Sequence, residues 1–522
     1  MGDTPAADKA VPSGQVLTDR LLRSWLRCRR RAWLDRHGDP STRLYSAHRT
    51  LQLDDQQRSF VALLPEKPAR GLAALEQGAA AAVGVRLRGA GPAGWWLEAH
   101  PPLLQRVSGQ SRWGSFAYWP VLARQGRRLT REHRLPLALA GRLLEPLQGA
   151  AVPEALAVAG AGRRLEKERL PLNSSLQRQL DEALRKLAQD LLRPNPPALA
   201  ADRRKCTLCS WRGVCNAEAA AEGHLSEVSG IGAKRREMLQ ELGFARLADL
   251  AAADPQQLAL QLERFGEQHG AIAAPLVAQA RAQRDGRVEH LGSGPALPEL
   301  GSAPGVLLYD IESDPDARDD FLHGFVRLPR SDTGGWDLAA ATYHPVLVLQ
   351  EHGETRCWER LQAFLSRYPD WPLLHYGETE SLALVRMAQR QGLAEGELAT
   401  IRARMVDVHD RLRRHWRLPL NSYGLKTVAA WRGFRWRQQG VDGARALLWW
   451  RQWRGSGRHD RGHVQALRWI FTYNHDDSLA TWAVAQWLLG QDSLLAQNSL
   501  LAQNSLLDQD SSGSRKPAGT SS

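Results

Sequence analysis

Four of the five cysteines in this chain lie at the two ends of its N-terminal part, one near the start and three close together near the end. Cys28 lies near the start, whereas Cys206, Cys209 and Cys215 fall together in the stretch KCTLCSWRGVC. These thiols can meet only if the fold closes a loop of nearly the entire N-terminal domain. A C-x2-C pair suits either tetrahedral zinc or an iron–sulfur cluster, because both take soft thiolates at the reach of a tight turn. The spacing therefore predicts a metal site without choosing the metal, and Cys357, outside the pattern, is predicted to be an ordinary thiol.

The charge balance favours a polyanionic partner. The 522 residues contain 69 Lys and Arg against 56 Asp and Glu, a net charge of +13. Nucleic acid is the leading candidate for such a surface, although many of the arginines can equally be solvated helix faces. The length predicts about three domains. Five cysteines are too few for a disulfide scaffold in so long a chain, which points to a reducing compartment.

Neither a membrane span nor a signal peptide is evident. The sequence has no apolar run of the roughly 18 residues that a spanning helix needs. The first fifteen residues are polar and lack the basic-then-apolar order of a secretory leader. We therefore expect a cytoplasmic protein that does not associate with membranes.

Apolar spacing and breakers divide the chain. Residues 16–36 are predicted to form one helix capped by Thr18 and carrying Cys28, and residues 174–193 form a clear amphipathic helix. The predicted organisation is an N-terminal α/β domain, a small helical region, a Gly- and Pro-rich linker, a C-terminal α/β domain and a low-complexity tail, with boundaries at 1–222, 223–291, 292–304, 305–490 and 491–522.

Acidic residues recur at three places in the C-terminal domain. In the strand-like run VLLYDIES, Asp310 and Glu312 are two residues apart and so project to the same face. Glu380 follows a short strand in LLHYGETES, and Tyr473 and Asp477 lie four apart, one turn of a helix, in YNHDD. Asp476 is the alternative ligand if that helix is rotated.

This order of acids resembles the DEDD exonucleases of the tyrosine subtype, within the RNase H-like superfamily. The resemblance implies an RNase H-like α/β fold with a mixed central sheet and two Mg2+ or Mn2+ ions bound by Asp310, Glu312, Glu380 and Asp477, with Tyr473 positioning the water. It implies 3'-to-5' hydrolysis of DNA, with RNA as an open alternative substrate. Glu380 departs from the usual Asp of that family, which changes the reach of the side chain and not its charge.

The N-terminal domain carries a second resemblance. A lone cysteine in RCRRRAWL followed by three distant cysteines is similar to iron–sulfur RecB-like nucleases, which include helicase-associated members. The resemblance implies a restriction-endonuclease-like fold and a [4Fe–4S] cluster with a structural role on Cys28, Cys206, Cys209 and Cys215, with Zn2+ as the alternative. It also leaves open a helicase partner.

The acids that this second family uses for catalysis are missing. Pro102 stands where an Asp is expected, Leu122 replaces the next acid, and Arg124 replaces the lysine. Pro136 and Ala140 occupy the usual Gln and Tyr positions of the following helix. Leucine cannot bind Mg2+, so we predict that this domain is catalytically inactive and serves as a DNA-binding scaffold.

The helical region between the domains resembles a helix-hairpin-helix, a motif that binds the DNA backbone. Its core is Gly230, Ile231 and Gly232, whose turn would present backbone N–H groups to a phosphate while Lys234 and Arg235 add charge. A purely structural hairpin is the alternative.

A further segment, 405–436, interleaves Arg, His and Trp in the way that suits single-stranded nucleic acid. Lys426 is its candidate phosphate contact, whereas Trp431 and Trp436 are as readily core residues. Taken together, the sequence predicts a metal-dependent nuclease that acts in DNA repair or processing. The competing hypothesis is a non-catalytic nucleic-acid-binding adaptor in which both nuclease domains have decayed.

Overall fold

A computed structural model of the protein describes residues 15–64, 66–124, 128–161, 164–200, 203–314, 319–349, 351–455 and 461–512. The chain divides into two compact units, Met1–Ala221 and Glu222–Ser522. No helix in the described parts of the chain combines the length and apolar character that crossing a bilayer requires.

The first unit mixes short strands with helices. Its strands are β1 (Val16–Thr18), β2 (Ala69–Arg70), β3 (Ala81–Val83), β4 (Leu87–Ala90), β5 (Trp96–Ala99), β6 (Leu103–Ser111), β7 (Gly114–Ala123), β8 (Glu154–Ala161) and β9 (Arg164–Pro171). Its helices are α1 (Asp19–Arg27), α2 (Arg29–His37), α3 (Ala47–Leu63), α4 (Leu72–Glu76), α5 (Arg131–Gln148), α6 (Ser174–Leu191) and α7 (Arg212–Glu222).

Two sheets build the first unit. One has the order β1-β5-β4, and the other has the order β2-β3-β6-β7-β8-β9. Strands β7 and β8 are parallel, joined through α5, while β8 and β9 are antiparallel. Helices α5 and α6 bury their apolar faces in the core beside the sheets, which includes Leu139, Leu143, Leu180 and Leu184. The predicted amphipathic helix is α6, with the Asn173 side chain accepting from the Leu176 backbone N–H at 3.0 Å.

The helix predicted over 16–36 is two helices. Thr18 caps α1 as expected, its Oγ1 accepting from the Leu21 backbone N–H at 3.1 Å. Cys28 then adopts an extended conformation (φ −162°, ψ 120°), which ends α1 and starts α2. The prediction that Cys28 lies within a helix is therefore wrong. Helical periodicity could not reveal the break because the residues on both sides of it remain good helix formers.

The second unit begins with a helical region, α8 (Ala233–Glu241), α9 (Leu247–Ala252), α10 (Pro255–Leu262) and α11 (Ala273–Asp285). Its strands are β10 (Glu289–His290), β11 (Gly305–Asp314), β12 (Asp319–Pro329), β13 (Thr342–Leu347), β14 (Leu373–His375), β15 (Met405–Asp407) and β16 (Trp416–Arg417). The remaining helices are α12 (Gly353–Leu365), α13 (Glu378–Arg390), α14 (Glu395–Arg404), α15 (Val408–His415), α16 (Leu425–Trp431), α17 (Gly443–Gly455) and α18 (Arg461–Ser512).

A five-stranded mixed sheet of order β13-β12-β11-β14-β15 forms the centre of the second unit. Strands β11, β12 and β13 are antiparallel neighbours, whereas β14 and β15 run parallel to β11. Both faces of the sheet are buried. Val306 and Leu308 pack on the side of α18, and Leu307 and Tyr309 pack on the side of α12 and α13. Residue parity along β11 therefore decides which face a side chain joins.

The last helix is longer than its predicted stretch of 463–489, since α18 continues to Ser512. It overlaps the predicted low-complexity tail as far as that residue, and 513–522 lie outside the described residues.

Candidate metal centre

The two acids of VLLYDIES lie on the central strand of the sheet. Asp310 and Glu312 have the same parity as Val306 and Leu308, so they face α18 from the far end of β11. Glu312 is 5% exposed, and Asp310 is half-buried. Asp310 and Glu312 are paired with Gly324 and Leu322 of β12, which fixes the backbone that carries the two carboxylates.

The third acid comes from α18. One carboxylate oxygen from each of Asp310, Glu312 and Asp477 lies within 4.8 Å of the others, and this is the only such group of three or more possible metal ligands found in the described residues. We call these three residues the acid cluster. Oxygen ligands at this spacing suit hard divalent cations such as Mg2+ and Mn2+.

An amide side chain ties the strand to the helix. Asn474 is fully buried, and its Nδ2 donates to Asp310 Oδ2 at 2.7 Å. The same side chain hydrogen-bonds Glu312. Its Oδ1 accepts from the Tyr343 hydroxyl at 2.8 Å. A Cβ on Gly324 of the adjacent strand β12 would lie 1.6 Å from that Oδ1, so only glycine leaves room for the amide.

Two further groups hold Asp477. Trp436 Nε1 donates to Asp477 Oδ1 at 2.6 Å, and the Tyr473 hydroxyl, one turn earlier on α18, also hydrogen-bonds this carboxylate. Lys426 Nζ lies 4.8 Å from the centre of the Tyr473 ring and donates to the Val441 carbonyl. Lys426, predicted as a phosphate contact, therefore lies beside the acid cluster.

Burial and mutual repulsion shape the protonation of the acid cluster. Burial raises the pKa of Asp310 well above its usual value, and the charges of Asp477 and Glu312 raise it further. Burial and then the charge of Asp477 raise the pKa of Glu312 in the same way. The pKa of Asp477 is also raised by burial, although the ammonium of Lys426 partly offsets the increase. A site where several carboxylates repel one another is one that a divalent cation would stabilise.

Glu380 lies near the acid cluster and is not a member of it. It occupies the first turn of α13, is 8% exposed, and has an Oε2 atom with no hydrogen-bond partner. Its charge contributes to the raised pKa values of Asp310 and Glu312, and burial raises its own pKa to about 7. The structure thus brings together three of the four predicted acids, and the fourth lies outside this group with one unpaired carboxylate oxygen.

The alternative ligand Asp476 has a different role. It is 3% exposed and pairs with Arg437, whose Nε donates to Asp476 Oδ1 at 2.7 Å and whose backbone N–H donates to Oδ2 at 2.8 Å. The rotation of α18 therefore directs Asp477 to the strand acids and Asp476 to an ion pair.

The predicted hairpin residues form a turn before α8. Gly230 has a φ of +90°, which favours glycine, and its carbonyl accepts from Arg235 Nη1 at 2.7 Å. Ile231 is buried in the core of this helical region, Gly232 is the N-cap of α8, and Lys234 is exposed. One predicted cation, Lys234, is thus free of the turn, while the other supports it.

The four distant cysteines meet in the first unit. Cys28, Cys206, Cys209 and Cys215 line one cleft of about 660 Å³, which we call the cysteine cleft. Burial raises the pKa of Cys206 and Cys215, and the neighbouring cysteine thiols raise both further. Within the described residues no three of these sulfur atoms come within 4.8 Å of one another. The structure thus brings the four predicted cysteines to one cleft without placing three of their sulfur atoms within 4.8 Å of one another.

Four positions expected to carry catalytic residues of that family line a small cavity in the first unit. Pro102 and Leu122 stand at the expected acids and Pro136 and Ala140 at the expected Gln and Tyr, and Asp19 and Arg23 line the same cavity. Arg124 is buried beside this region and pairs with Glu166 at 3.3 Å and Glu168 at 3.5 Å. No second carboxylate lines the cavity, so a metal held there would lack the ligands that hydrolysis needs.

Sequence reasoning missed Asn474, Tyr343 and Gly324, and it left Trp436 open between a nucleic-acid contact and a core residue, without its contact to Asp477. Only Asn474 carried a usable signal, because it lies between Tyr473 and Asp477 in the motif itself. Tyr343, Gly324 and Trp436 come from other elements, and their contacts depend on the tertiary fold.

Comparisons with known proteins support the C-terminal assignment. A family model of the RNase H superfamily matches residues 307–489, which include the whole acid cluster. No curated protein matches the chain significantly. Among solved structures, the crystal structure of SSO0001 is similar at 13% identity over 40% of this chain and 88% of that one, with a TM-score of 0.25. So low a score says nothing about fold. The C-terminal domain is therefore RNase H-like, which indicates nuclease-type activity on nucleic acid, with an acidic group able to bind a metal.

Proposed function

We propose that the second unit is a divalent-metal-dependent 3'-to-5' exonuclease acting on DNA. The observation that carries this proposal is the acid cluster, in which carboxylates from β11 and α18 converge at the end of the central strand. It supports hydrolysis because phosphodiester cleavage requires concentrated positive charge at the attacking and leaving oxygens. Three carboxylates held this close repel one another, and a bound divalent cation would offset that repulsion.

Asp310, Glu312 and Asp477 would hold two Mg2+ or Mn2+ ions, and Glu380 would contribute directly or through water. Bound there, the ions would lower the pKa of a water and stabilise the leaving 3'-oxygen. Burial raises the pKa of Tyr473 well above its usual value, so its hydroxyl stays protonated and can orient that water. Lys426 is placed to contact a phosphate of the substrate.

The test is degradation of labelled single-stranded DNA by the full chain, with RNA in parallel. We expect Mg2+- or Mn2+-dependent shortening of a 5'-labelled strand, abolished by EDTA. Asp310→Asn should lose at least about 100-fold in rate, because loss even of outer-sphere support costs 10–100-fold at such sites. Asp410→Asn, a half-buried acid on α15 that pairs with Arg414 outside the acid cluster, is the control. Binding without cleavage by the wild type would instead support the adaptor hypothesis, and shortening from the 5' end would contradict the polarity.

We further propose that the first unit is a nuclease-like domain without activity, held together by a [4Fe–4S] cluster on Cys28, Cys206, Cys209 and Cys215. Anaerobically purified protein should show a broad absorption band in the blue together with bound iron, and Cys206→Ser should lose both. Stoichiometric zinc without that band would contradict this assignment. The cavity at Pro102 and Leu122 supports the lack of activity.

The helix-hairpin-helix-like turn is proposed to bind the DNA backbone through Gly232 and Lys234. Lys234→Glu should weaken binding to all duplex sequences alike and reduce its salt dependence. Unchanged affinity would leave the turn a structural feature.

A further inference from the structure

The cysteine cleft is strongly basic. Eight arginines and one histidine line it against a single glutamate, Glu132. Arg27, Arg30 and Arg43 pair with Glu132, Glu218 and Asp35, and an anion bound in the cleft of about 660 Å³ would offset the charge of the remaining arginines. Thiolates of a metal cluster are one source of negative charge, so the question is whether they account for all of the arginines.

Six of the eight arginines fall into two groups, and the other two, Arg43 and Arg212, contact Asp35 and the Cys209 carbonyl. Arg30 hydrogen-bonds Cys215, and the charge of Arg203 acts on Cys206. These two arginines therefore interact with the cysteines themselves. Four others come from α1, α2 and α3, and we call them the arginine group: Arg20, Arg27, Arg31 and Arg49.

The arginine group is poorly neutralised. Arg27 pairs with Glu132, and Arg31 has only a long contact of 3.9 Å to Asp35. Arg20 and Arg49 are exposed and have no ion pair with any part of the chain that the structure describes. Partial burial in the cleft lowers the pKa of Arg49, and the charges of neighbouring arginines lower it further. Since the surroundings of Arg49 are arginines, a metal cluster on the cysteines does not explain this group.

An aromatic residue lies in the same cleft. Tyr45, immediately before α3, is 58% exposed, and Leu44 beside it is 41% exposed. An exposed tyrosine next to arginines is the combination that binds single strands, because the ring stacks on a base while the guanidinium groups contact phosphates. A duplex, whose bases are already stacked, would gain nothing from the ring.

We propose that the arginine group and Tyr45 form a binding site for the phosphodiester backbone and bases of a single-stranded nucleic acid. None of these residues belongs to the second unit, so the site is additional to the acid cluster. Single-strand binding at this site is a property beyond the proposed exonuclease activity, and it requires no divalent metal.

The experiment measures fluorescence anisotropy of labelled single-stranded DNA, single-stranded RNA and duplex DNA with the full chain in EDTA, over a series of salt concentrations. Arg20→Glu with Arg49→Glu should weaken single-strand binding at least tenfold and make the log–log salt slope shallower by about 1.4. Tyr45→Ala should weaken it about fivefold or more with the slope unchanged, as expected for a lost stacking contact. The matched control is Arg178→Glu with Arg185→Glu, two exposed arginines of α6 outside the cleft.

Equal losses in the control and cleft variants would overturn the proposal, since they would show only the effect of net charge. Loss of duplex binding with single-strand binding intact would also overturn it. Iron content and circular dichroism report whether each variant is folded. If the glutamate variant does not fold, Arg20→Gln with Arg49→Gln replaces it. We then expect single-strand affinity to fall threefold or more, and wild-type affinity would contradict the site. Because every measurement is made without metal, failure of the exonuclease assay would not affect the result.

Discussion

One amide side chain connects the two elements that supply the acid cluster. Asn474 contacts Asp310 and Glu312 on β11 while being part of α18, and it is itself held by Tyr343. Groups that support metal ligands in this way usually set the affinity of the site for metal. Asn474 is therefore a positioning residue, since it orients the carboxylates and has no proposed contact with the substrate.

We expect Asn474→Ala to weaken Mn2+ binding by about 10–100-fold, because the two strand carboxylates lose their shared donor. Isothermal titration at fixed pH measures the affinity directly. Ser478→Ala, which removes a buried hydroxyl one turn further along α18, is the control and should bind Mn2+ as the wild type does. Unchanged Mn2+ affinity in Asn474→Ala would contradict the positioning role.

Glu380 should make stability depend on pH. Burial raises its pKa from 4.5 to about 7, so between these values it is protonated in the folded chain and ionised in the unfolded one. The folded state then binds more protons, and this contribution to the free energy of unfolding, fully present below pH 4.5, is lost as pH rises through about 7.

The measurement compares wild type with Glu380→Gln by urea denaturation in EDTA from pH 5 to 8. Over that range the wild type should lose on the order of 2 kcal/mol relative to the variant. Buried histidines such as His323, whose pKa burial lowers to about 4, have the opposite dependence, but they contribute equally to both proteins. A constant difference between the two would show that Glu380 is not shifted.

At the scale of elements, alternation along β11 and the four-residue spacing in α18 were enough to predict which side chains share a face of their strand or helix. Asp310 with Glu312, and Tyr473 with Asp477, follow from backbone geometry alone. The contact of Trp436 with Asp477 could not be predicted, since a tryptophan in a core and one donating to a ligand have the same local sequence. The break at Cys28 could not be predicted for a related reason, because the extended backbone of this residue is not signalled by its neighbours in the sequence.

Gly324 of strand β12 lies where the buried Asn474 amide leaves no room for a side chain. Gly324→Ala should destabilise the protein by about 1–3 kcal/mol and weaken Mn2+ binding, because the new methyl group must displace the Asn474 amide. Gly396→Ala, at an open position on α14, should instead leave binding unchanged and stabilise slightly. Denaturation curves and Mn2+ titration test both. A neutral Gly324→Ala would mean that β12 can shift without cost.

At the scale of the whole molecule, the chain divides into two units with different proposed metals. Calorimetry of the full chain should therefore show two transitions. Mn2+ should raise only one of them, by about 2–4 °C for each kcal/mol of binding free energy. Removal of iron should lower only the other. A single transition that responds to both treatments would contradict independent units.

The acid cluster is assembled from β11, near the start of the RNase H-like domain, and from α18, near its end. During synthesis, the strand carboxylates emerge from the ribosome long before Asp477 and Asn474 do. A nascent chain thus lacks a complete cation cage until its final helix has docked on the sheet. This order of assembly delays metal binding by the three acids until the domain is complete.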